Sequence, residues 1–388
     1  MSRTNATQAD REHMLRALAL ARRGRGAVEP NPMVGCVIVK NGRVIGEGWH
    51  RRFGGPHAEI DALRRCRVAP HGATLYVTLE PCSHFGKTPP CADALVEARI
   101  GRVIAALRDP NPLVAGRGLR RLRRAGIEVA SGVLAAEATS LNAPYLKLLR
   151  ERRPWVILKW AQSLDGKIAT RTHDSKWISD EACRTHAHRV RGRVDAIIVG
   201  RHTVETDDPE LTARLARPRR IATRVVLDAR LSTPPTACLI RTAQQTPTLF
   251  FCGQNAPAAR RRTLEHAGCR VDEIPCDGKT LSLGAALDRL GELRMTNVLV
   301  EGGGALLGAF ADQNLADEIH VYVAPLLIGG RDAVSPLSGL GVETVARSPR
   351  LPADTTPRRI GAGWLFQARL PRSPEPTSWP TCPINRDS

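Results

Sequence analysis

A two-domain α/β architecture is what this sequence predicts, and three observations carry the prediction. The chain has 388 residues, too many for one ordinary core and enough for two domains of roughly 150 to 200 residues each. Short apolar runs alternate with helix-spaced amphipathic runs along nearly the whole length, the pattern of sheets flanked by helices. Between the halves, Leu148-Leu-Arg-Glu-Arg-Arg-Pro154 is charged and ends in proline, which sets a boundary near residue 150. With 42% hydrophobic and 24% charged residues, each half can bury a core of its own.

In the first half, Gln8 to Arg23 places Met14, Leu15, Leu18 and Ala21 near helical spacing and stops at Gly24. Val34 to Val39 and Val44 to Trp49 read as strands joined by Asn41-Gly42, a two-residue hairpin turn. His57-Ala-Glu59 then opens a helix to about Cys66. Strand Thr74 to Leu79, helix Cys91 to Arg99, strand Arg102 to Leu107, helix Leu119 to Ala125 and strand Ile127 to Ser131 complete the alternation.

In the second half, Trp155 to Trp160 is a strand followed by a turn at Ser163-Leu-Asp-Gly166. Ser179 to Arg193 reads as a helix capped by Ser179 or Asp180. Strands follow at Ala196 to Val199, Arg224 to Leu227, Thr248 to Phe251 and Val298 to Val300. The last runs through Glu301-Gly-Gly-Gly304 into a small-residue helix to Phe310, and a final strand, Glu318 to Ala324, ends at Pro325. Such a layout places ligands at the strand ends. Residues 372–388, rich in Pro and Ser, read as a disordered or loosely attached tail.

Composition narrows the functional classes. The first residues are polar and charged, and no apolar run approaches the roughly 20 residues of a membrane span, so a cytoplasmic protein is expected. Ten Cys without a secretory leader argue for reduced thiols, some of them metal ligands. Eight of them, Cys36, Cys66, Cys183, Cys238, Cys252, Cys269, Cys276 and Cys382, lack a partner at metal-ligand spacing and read as small core or surface residues. The formal net charge of +19 is spread over scattered Arg, and aromatics are only 4%, so the charge lacks the interleaved rings of a single-strand binder.

Two stretches carry chemistry in the first half, His57-Ala-Glu59 and Thr78-Leu-Glu-Pro-Cys82-Ser-His-Phe-Gly-Lys87-Thr-Pro-Pro-Cys91. One His and two Cys can bind Zn2+ through three ligands and leave a fourth position for water, while a nearby Glu that is not a ligand moves protons. H-x-E followed by P-C-x-x-C marks the zinc deaminases of nucleobases; here the first half is literal and the second is stretched to nine positions. Both parts fall where a helix begins, and a helix N-terminus favours thiolate. A structural zinc, with His84 as fourth ligand, is the competing reading. A nucleic-acid (tRNA) deaminase with an RNA-binding C-terminal domain is another, motivated by the charge.

These motifs, with Pro30-Asn-Pro-Met-Val-Gly-Cys-Val-Ile-Val39, Asp109-Pro-Asn-Pro112 and Gly116-Arg-Gly118, resemble the bifunctional riboflavin-biosynthesis deaminase/reductase family. The nine-position separation of Cys82 and Cys91 distinguishes that family from cytidine and tRNA-adenosine deaminases. The resemblance implies zinc ligands His57, Cys82 and Cys91, an acid/base Glu59, and substrate contacts at Asn31, His50, His84 and Lys87. It places Asp109 and Asn111 near the ribose phosphate. The inserted loop brings His84 and Lys87 to the rim of the metal site, where a cation suits a phosphate.

The second half resembles the reductase part of the same family through Lys159-Trp-Ala-Gln-Ser-Leu-Asp-Gly-Lys-Ile-Ala169, Ser175-Lys-Trp-Ile-Ser179, Val199-Gly200, Thr203, Asp207-Asp-Pro209, Leu211-Thr-Ala-Arg214 and Val300-Glu-Gly-Gly-Gly304. A strand running through glycines into a helix lets backbone N–H groups approach a phosphate. The resemblance implies NADPH contacts at Lys159, Ala161, Trp177, Thr203, Asp207, Gly303, Gly304, Ala305, Leu306, Leu307, Gly308 and Ala309. Substrate contacts fall on Ser175, Arg191, Leu211, Arg214 and Glu301, with Arg191 and Arg214 suited to clamp phosphate. Gln162 stands where the family usually has a small residue, and Ala229 where a hydroxyl residue is common.

The implied fold is a cytidine-deaminase-like three-layer α/β/α domain over residues 1–150 and a dihydrofolate-reductase-like α/β domain over residues 151–371. The implied activity is hydrolytic deamination of a small phosphorylated pyrimidine followed by NADPH-dependent reduction of its ribosyl group. Zn2+ and NADPH are the expected cofactors. A homo-oligomer, dimer or tetramer, is the expected assembly, with neither nucleic acid nor membrane as partner.

Overall fold

The computed structural model describes residues 6–83, 89–112 and 114–371. They form two compact units that part between Glu151 and Arg152. No helix among the described residues is long and apolar enough to cross a membrane.

The first unit runs α1 (Gln8–Ala21), β1 (Gly35–Lys40), β2 (Arg43–Trp49), α2 (Ala58–Arg64), β3 (Thr74–Val77), α3 (Cys91–Glu97), β4 (Arg102–Ala105), α4 (Arg117–Arg124), β5 (Glu128–Ser131), α5 (Ala135–Leu141) and α6 (Ala143–Glu151). Its sheet has the order β2-β1-β3-β4-β5; β1 is antiparallel to both neighbours, and β3, β4 and β5 are mutually parallel. Strand alternation sends Val37, Val39 and Tyr76 to one face and Cys36, Ile38, Leu75 and Val77 to the other. Residues of α1 and α5 cover the first face, and residues of α2, α3 and α4 cover the second. Three layers result, as expected for this half.

Thr7 starts α1 with a capping box: its side chain accepts from the Asp10 N–H, and the Asp10 carboxylate accepts from the Thr7 N–H. The sequence reading did not mark α5 and α6. Leu134, which precedes α5, sits in the left-handed region without a side-chain cap, so this helix start lacks the usual local signal.

The second unit contains β6 (Trp155–Ser163), α7 (Glu181–Arg191), β7 (Ala196–Gly200), α8 (Arg201–Asp207), β8 (Thr223–Leu227), α9 (Cys238–Arg241), β9 (Thr248–Cys252), α10 (Ala258–His266) and β10 (Arg270–Glu273). It continues with a small hairpin of β11 (Cys276–Asp277) and β12 (Thr280–Leu281), then α11 (Leu283–Glu292), β13 (Asn297–Glu301), α12 (Gly304–Asp312), β14 (Glu318–Ala324), β15 (Arg358–Ile360) and β16 (Gly363–Arg369). The large sheet has the order β10-β9-β8-β7-β13-β6-β14-β16-β15. From β10 to β14 the neighbours are parallel, while β16 and β15 close that side antiparallel.

Val298 and Val300 face the core beneath α11 and α12; Leu299 faces the opposite core with Leu239 and Leu264 of α9 and α10. Asp180 caps α7 by accepting the Cys183 N–H at 2.8 Å, which decides between the two expected caps. The expected turn is present: the Gly166 N–H donates to the Ser163 carbonyl at 3.0 Å.

Candidate functional site

In the first unit, sheet direction gathers the expected site residues. Cys82 and Asp109 lie beyond the C-terminal ends of parallel β3 and β4. Because β1 runs antiparallel to β3, Asn31, which precedes β1, belongs to that same edge, and so does His50 after β2. His57 is the N-cap residue of α2, and Cys91 is the first residue of α3.

The ligand atoms of His57, Cys82 and Cys91 all lie within 4.8 Å of one another. The His57 Nδ1 is 3.2 Å from Cys91 Sγ and 3.5 Å from Cys82 Sγ. Bonds of 2.0 to 2.3 Å in a tetrahedral zinc site imply ligand-to-ligand edges of about 3.6 Å, so three mixed N and S donors at these separations fit zinc.

The proton balance also fits. Contact with Cys91, the His57 ring and the Cys91 N–H at 3.3 Å lowers the Cys82 thiol, whereas its bond to Cys82 and burial raise the Cys91 thiol. Contact with Cys82 raises the His57 imidazole. The cluster thus holds protons that a divalent cation displaces.

Glu59 is buried, 3% exposed, within hydrogen-bond reach of Cys91, and burial pushes its carboxyl up to about 7. A carboxyl poised there can accept and release a proton near neutral pH. Beside it, His50 donates from Nδ1 to the Pro56 carbonyl at 2.9 Å, which leaves Nε2 to accept from the Asn31 amide at 3.2 Å. Burial holds this imidazole below its ordinary range, and its ring meets that of His57 edge-on at 5.5 Å.

Asp109 is also buried, and burial raises it to about 6; it accepts from the Asn111 N–H at 2.9 Å and the Tyr145 hydroxyl at 3.2 Å. The structure therefore assembles His57, Cys82, Cys91, Glu59, Asn31, His50, Asp109 and Asn111 along one sheet edge. His84 and Lys87 lie outside the described residues.

Sequence reading passed over Glu80. Buried at 4% exposure, its carboxylate accepts the N–H groups of Asp109 at 3.2 Å, Gly116 at 2.9 Å and Leu119 at 3.2 Å. It ties the segment carrying Cys82 to the segment carrying Asp109. The Gly116-Arg-Gly118 motif follows from this junction: Gly116 has φ 82°, and a Cβ on Gly118 would sit 1.9 Å from the Pro81 carbonyl oxygen.

In the second unit, Lys159 on β6 is in register with Glu301 on β13. Glu301 accepts from Arg191 through two bonds, Nε to Oε1 at 2.7 Å and Nη2 to Oε2 at 2.8 Å, and from Lys159 Nζ at 3.3 Å. Burial would raise Glu301, but the two cations hold it well below the usual carboxylate range. The structure thus brings three expected site residues together, with the Arg191 fork engaged by Glu301. Arg214 is exposed and meets Glu210 only at 3.7 Å.

At the neighbouring strand ends, the Gly303 N–H donates to Thr203 Oγ1 at 3.3 Å. An added Cβ at Gly303 would meet nothing within 4 Å, which fits a surface where a cofactor phosphate approaches backbone at the start of α12. Gly304 has a different reason: its Cβ would come 2.2 Å from the Ser335 carbonyl oxygen. Leu307 and Gly308 are buried, Leu307 in the hydrophobic core, while Ala305 is exposed and Ala161, Leu306 and Ala309 are half-buried. Trp177 is 65% exposed under the Arg184 guanidinium, and the Asp207 carbonyl accepts from Lys176 at 3.4 Å. Ser175 is half-buried and Leu211 is buried. Gln162 accepts from the Trp160 indole at 2.6 Å, which gives this departure from the family pattern a local role.

Residues 7–107 match the family described as cytidine and deoxycytidylate deaminase zinc-binding region, and residues 154–365 match the RibD C-terminal domain. The chain is 40% identical over 352 residues to the riboflavin biosynthesis protein RibD of Actinobacillus pleuropneumoniae, covering 90% of this chain and 93% of that protein. It is 41% identical to RibD of Escherichia coli (strain K12), covering 88% and 94% respectively. Among solved structures, Acinetobacter baumannii RibD, form 1, matches with TM-score 0.83 at 37% identity, covering 94% of this chain and 99% of that one. A diaminohydroxyphosphoribosylaminopyrimidine deaminase/5-amino-6-(5-phosphoribosylamino)uracil reductase from Thermotoga maritima matches with TM-score 0.80 at 35% identity, covering 93% and 99%. With both halves matched and relatives aligned over nearly their full length, the chain belongs to the RibD family of riboflavin-biosynthesis proteins.

Proposed function

We propose that this chain performs two successive steps on one small phosphorylated pyrimidine in riboflavin biosynthesis. Residues 1–150 deaminate 2,5-diamino-6-(5-phosphoribosylamino)pyrimidin-4-one by hydrolysis, and residues 151–371 reduce the ribosyl group of 5-amino-6-(5-phosphoribosylamino)uracil to ribityl. One observation carries the reading: a His57, Cys82 and Cys91 cluster of zinc geometry has the buried, protonatable Glu59 beside it. The matched RibD C-terminal domain on the same chain supplies the second step and disfavours an RNA-binding module there.

His57, Cys82 and Cys91 would hold zinc, which when bound would supply Lewis-acid activation of water. Glu59 would take a proton from the attacking water and deliver it to the departing amine. Neutral His50 and the Asn31 amide orient the ring, Asp109 and Asn111 face the ribose, and His84 and Lys87 serve the phosphate.

In the second unit NADPH is held by Lys159, Ala161, Trp177, Thr203, Asp207 and the segment Gly303 to Ala309; when bound it supplies the hydride. Ser175, Arg191, Leu211, Arg214 and Glu301 form the substrate side. Arg191 fixes Glu301, and the loosely paired Arg214 is the freer guanidinium for a phosphate. Positioning then accounts for most of what the protein adds.

Incubating the zinc-loaded protein with the diaminopyrimidine, with and without NADPH, and weighing the products tests this. Deamination without NADPH, and reduction only on its addition, is the expected result; reduction of the ribosyl group without NADPH, or no deamination, overturns it. The reading includes a cytoplasmic homo-oligomer, dimer or tetramer, supported by exposed Leu327, Leu340 and Val345. Sedimentation of a monomer at micromolar concentration contradicts that part.

A further inference from the structure

The helix α4, Arg117-Gly-Leu-Arg-Arg-Leu-Arg-Arg124, separates its residues sharply. Gly118, Leu119 and Leu122 are buried, and every arginine is exposed. Arg117, Arg120, Arg121 and Arg124 stand at positions i, i+3, i+4 and i+7, so they share one face. That face lines an open cavity of about 600 Å³, together with Ser83, Val96 and Ala125.

Arg121 pairs with Asp93 of α3. The side chains of Arg117, Arg120 and Arg124 have no anionic partner among the described residues. Two like-charged i, i+4 pairs, Arg117 with Arg121 and Arg120 with Arg124, each oppose the helix. An anion in the cavity relieves both, and guanidinium forks suit phosphate oxygens.

We propose that this cavity, whose lining includes none of His57, Cys82 and Cys91, is a binding site for a small anion carrying several phosphates. A single phosphate leaves part of the set formed by Arg117, Arg120 and Arg124 unanswered, whereas a polyphosphate chain spans it. The proposal does not rest on either catalytic assignment, and its test uses binding alone.

The test is calorimetric titration of full-length, zinc-loaded protein with inorganic tripolyphosphate. Expected is one site per chain, with orthophosphate bound at least about tenfold more weakly. The pair R120E/R124E should weaken tripolyphosphate by about tenfold or more, and R120Q/R124Q should weaken it in the same direction if the reversal disturbs folding. A control pair on α10, R260E/R262E, should leave binding unchanged. No binding, equal loss in the control, or a stoichiometry above one per chain overturns the proposal, as does tight capture of single-stranded RNA that tripolyphosphate cannot displace.

Discussion

Two glutamates, one in each unit, are both buried, and their surroundings drive them in opposite directions. Glu59 sits beside a His and two thiols, among the described residues no guanidinium or ammonium is bonded to it, and burial lifts its carboxyl to about 7. Glu301 is gripped by Arg191 and Lys159 and stays ionised. The same side chain therefore gains and loses a proton near neutral pH in one site and is a fixed anion in the other. The contrast matches the chemistry of each half: hydrolytic loss of an amine needs a proton moved, whereas reduction by a bound cofactor needs groups held in place.

The contrast can be broken at either end. Removing the metal with a chelator should abolish deamination and leave NADPH-dependent reduction intact, as read from product masses with each substrate. Replacing Glu59 with Gln should keep zinc bound, by metal analysis, yet lower the deamination rate by about 10²-fold to 10⁴-fold. Deamination surviving at the parental rate would make Glu59 a structural residue only.

At the other end, Glu301→Gln leaves the half-buried Arg191 and Lys159 beside a buried neutral group. Breaking one partner of a buried pair costs about 3 to 5 kcal/mol, so the second unit should unfold earlier in urea while the first keeps its midpoint. A smaller effect is expected at Glu318 on β14. Burial opposes its charge, but His320, Gln367 and Trp155 outweigh that and lower the carboxyl to about 2.

A depressed folded value means the contribution is fully present above the unfolded value and drains as pH falls. Here the window runs from the ordinary carboxyl value near 4.5 down to about 2, and the amount lost is about 3 kcal/mol. Glu318→Gln does not titrate, so its stability gap from the parent should close across that window. A gap independent of pH contradicts this assignment.

Much of the first site was legible because its signals are local. His57 and Glu59 are two residues apart at a helix start, and strand and turn patterns place Cys82 and Asp109 at strand ends. Glu80 was not legible in the same way. Its partners, Asp109, Gly116 and Leu119, lie 29 to 39 residues further on and are backbone N–H groups, which leave no side-chain pattern.

The Arg191 and Glu301 pair spans 110 residues, so the sequence could offer Arg191 as a phosphate clamp without showing that its fork is engaged. The glycine run was legible as a run, yet its members differ. Gly303 faces open space, while Gly304 is required by the backbone packed against it. Spacing cannot separate a glycine kept for a ligand from one kept for packing.

Zinc-loaded Glu59→Gln protein offered each pyrimidine in turn with NADPH, followed by mass analysis, tests the division of labour most directly. The account predicts that the diaminopyrimidine is recovered with its amine in place, while 5-amino-6-(5-phosphoribosylamino)uracil is reduced at the parental rate. Loss of both conversions, or deamination at the parental rate, would contradict it.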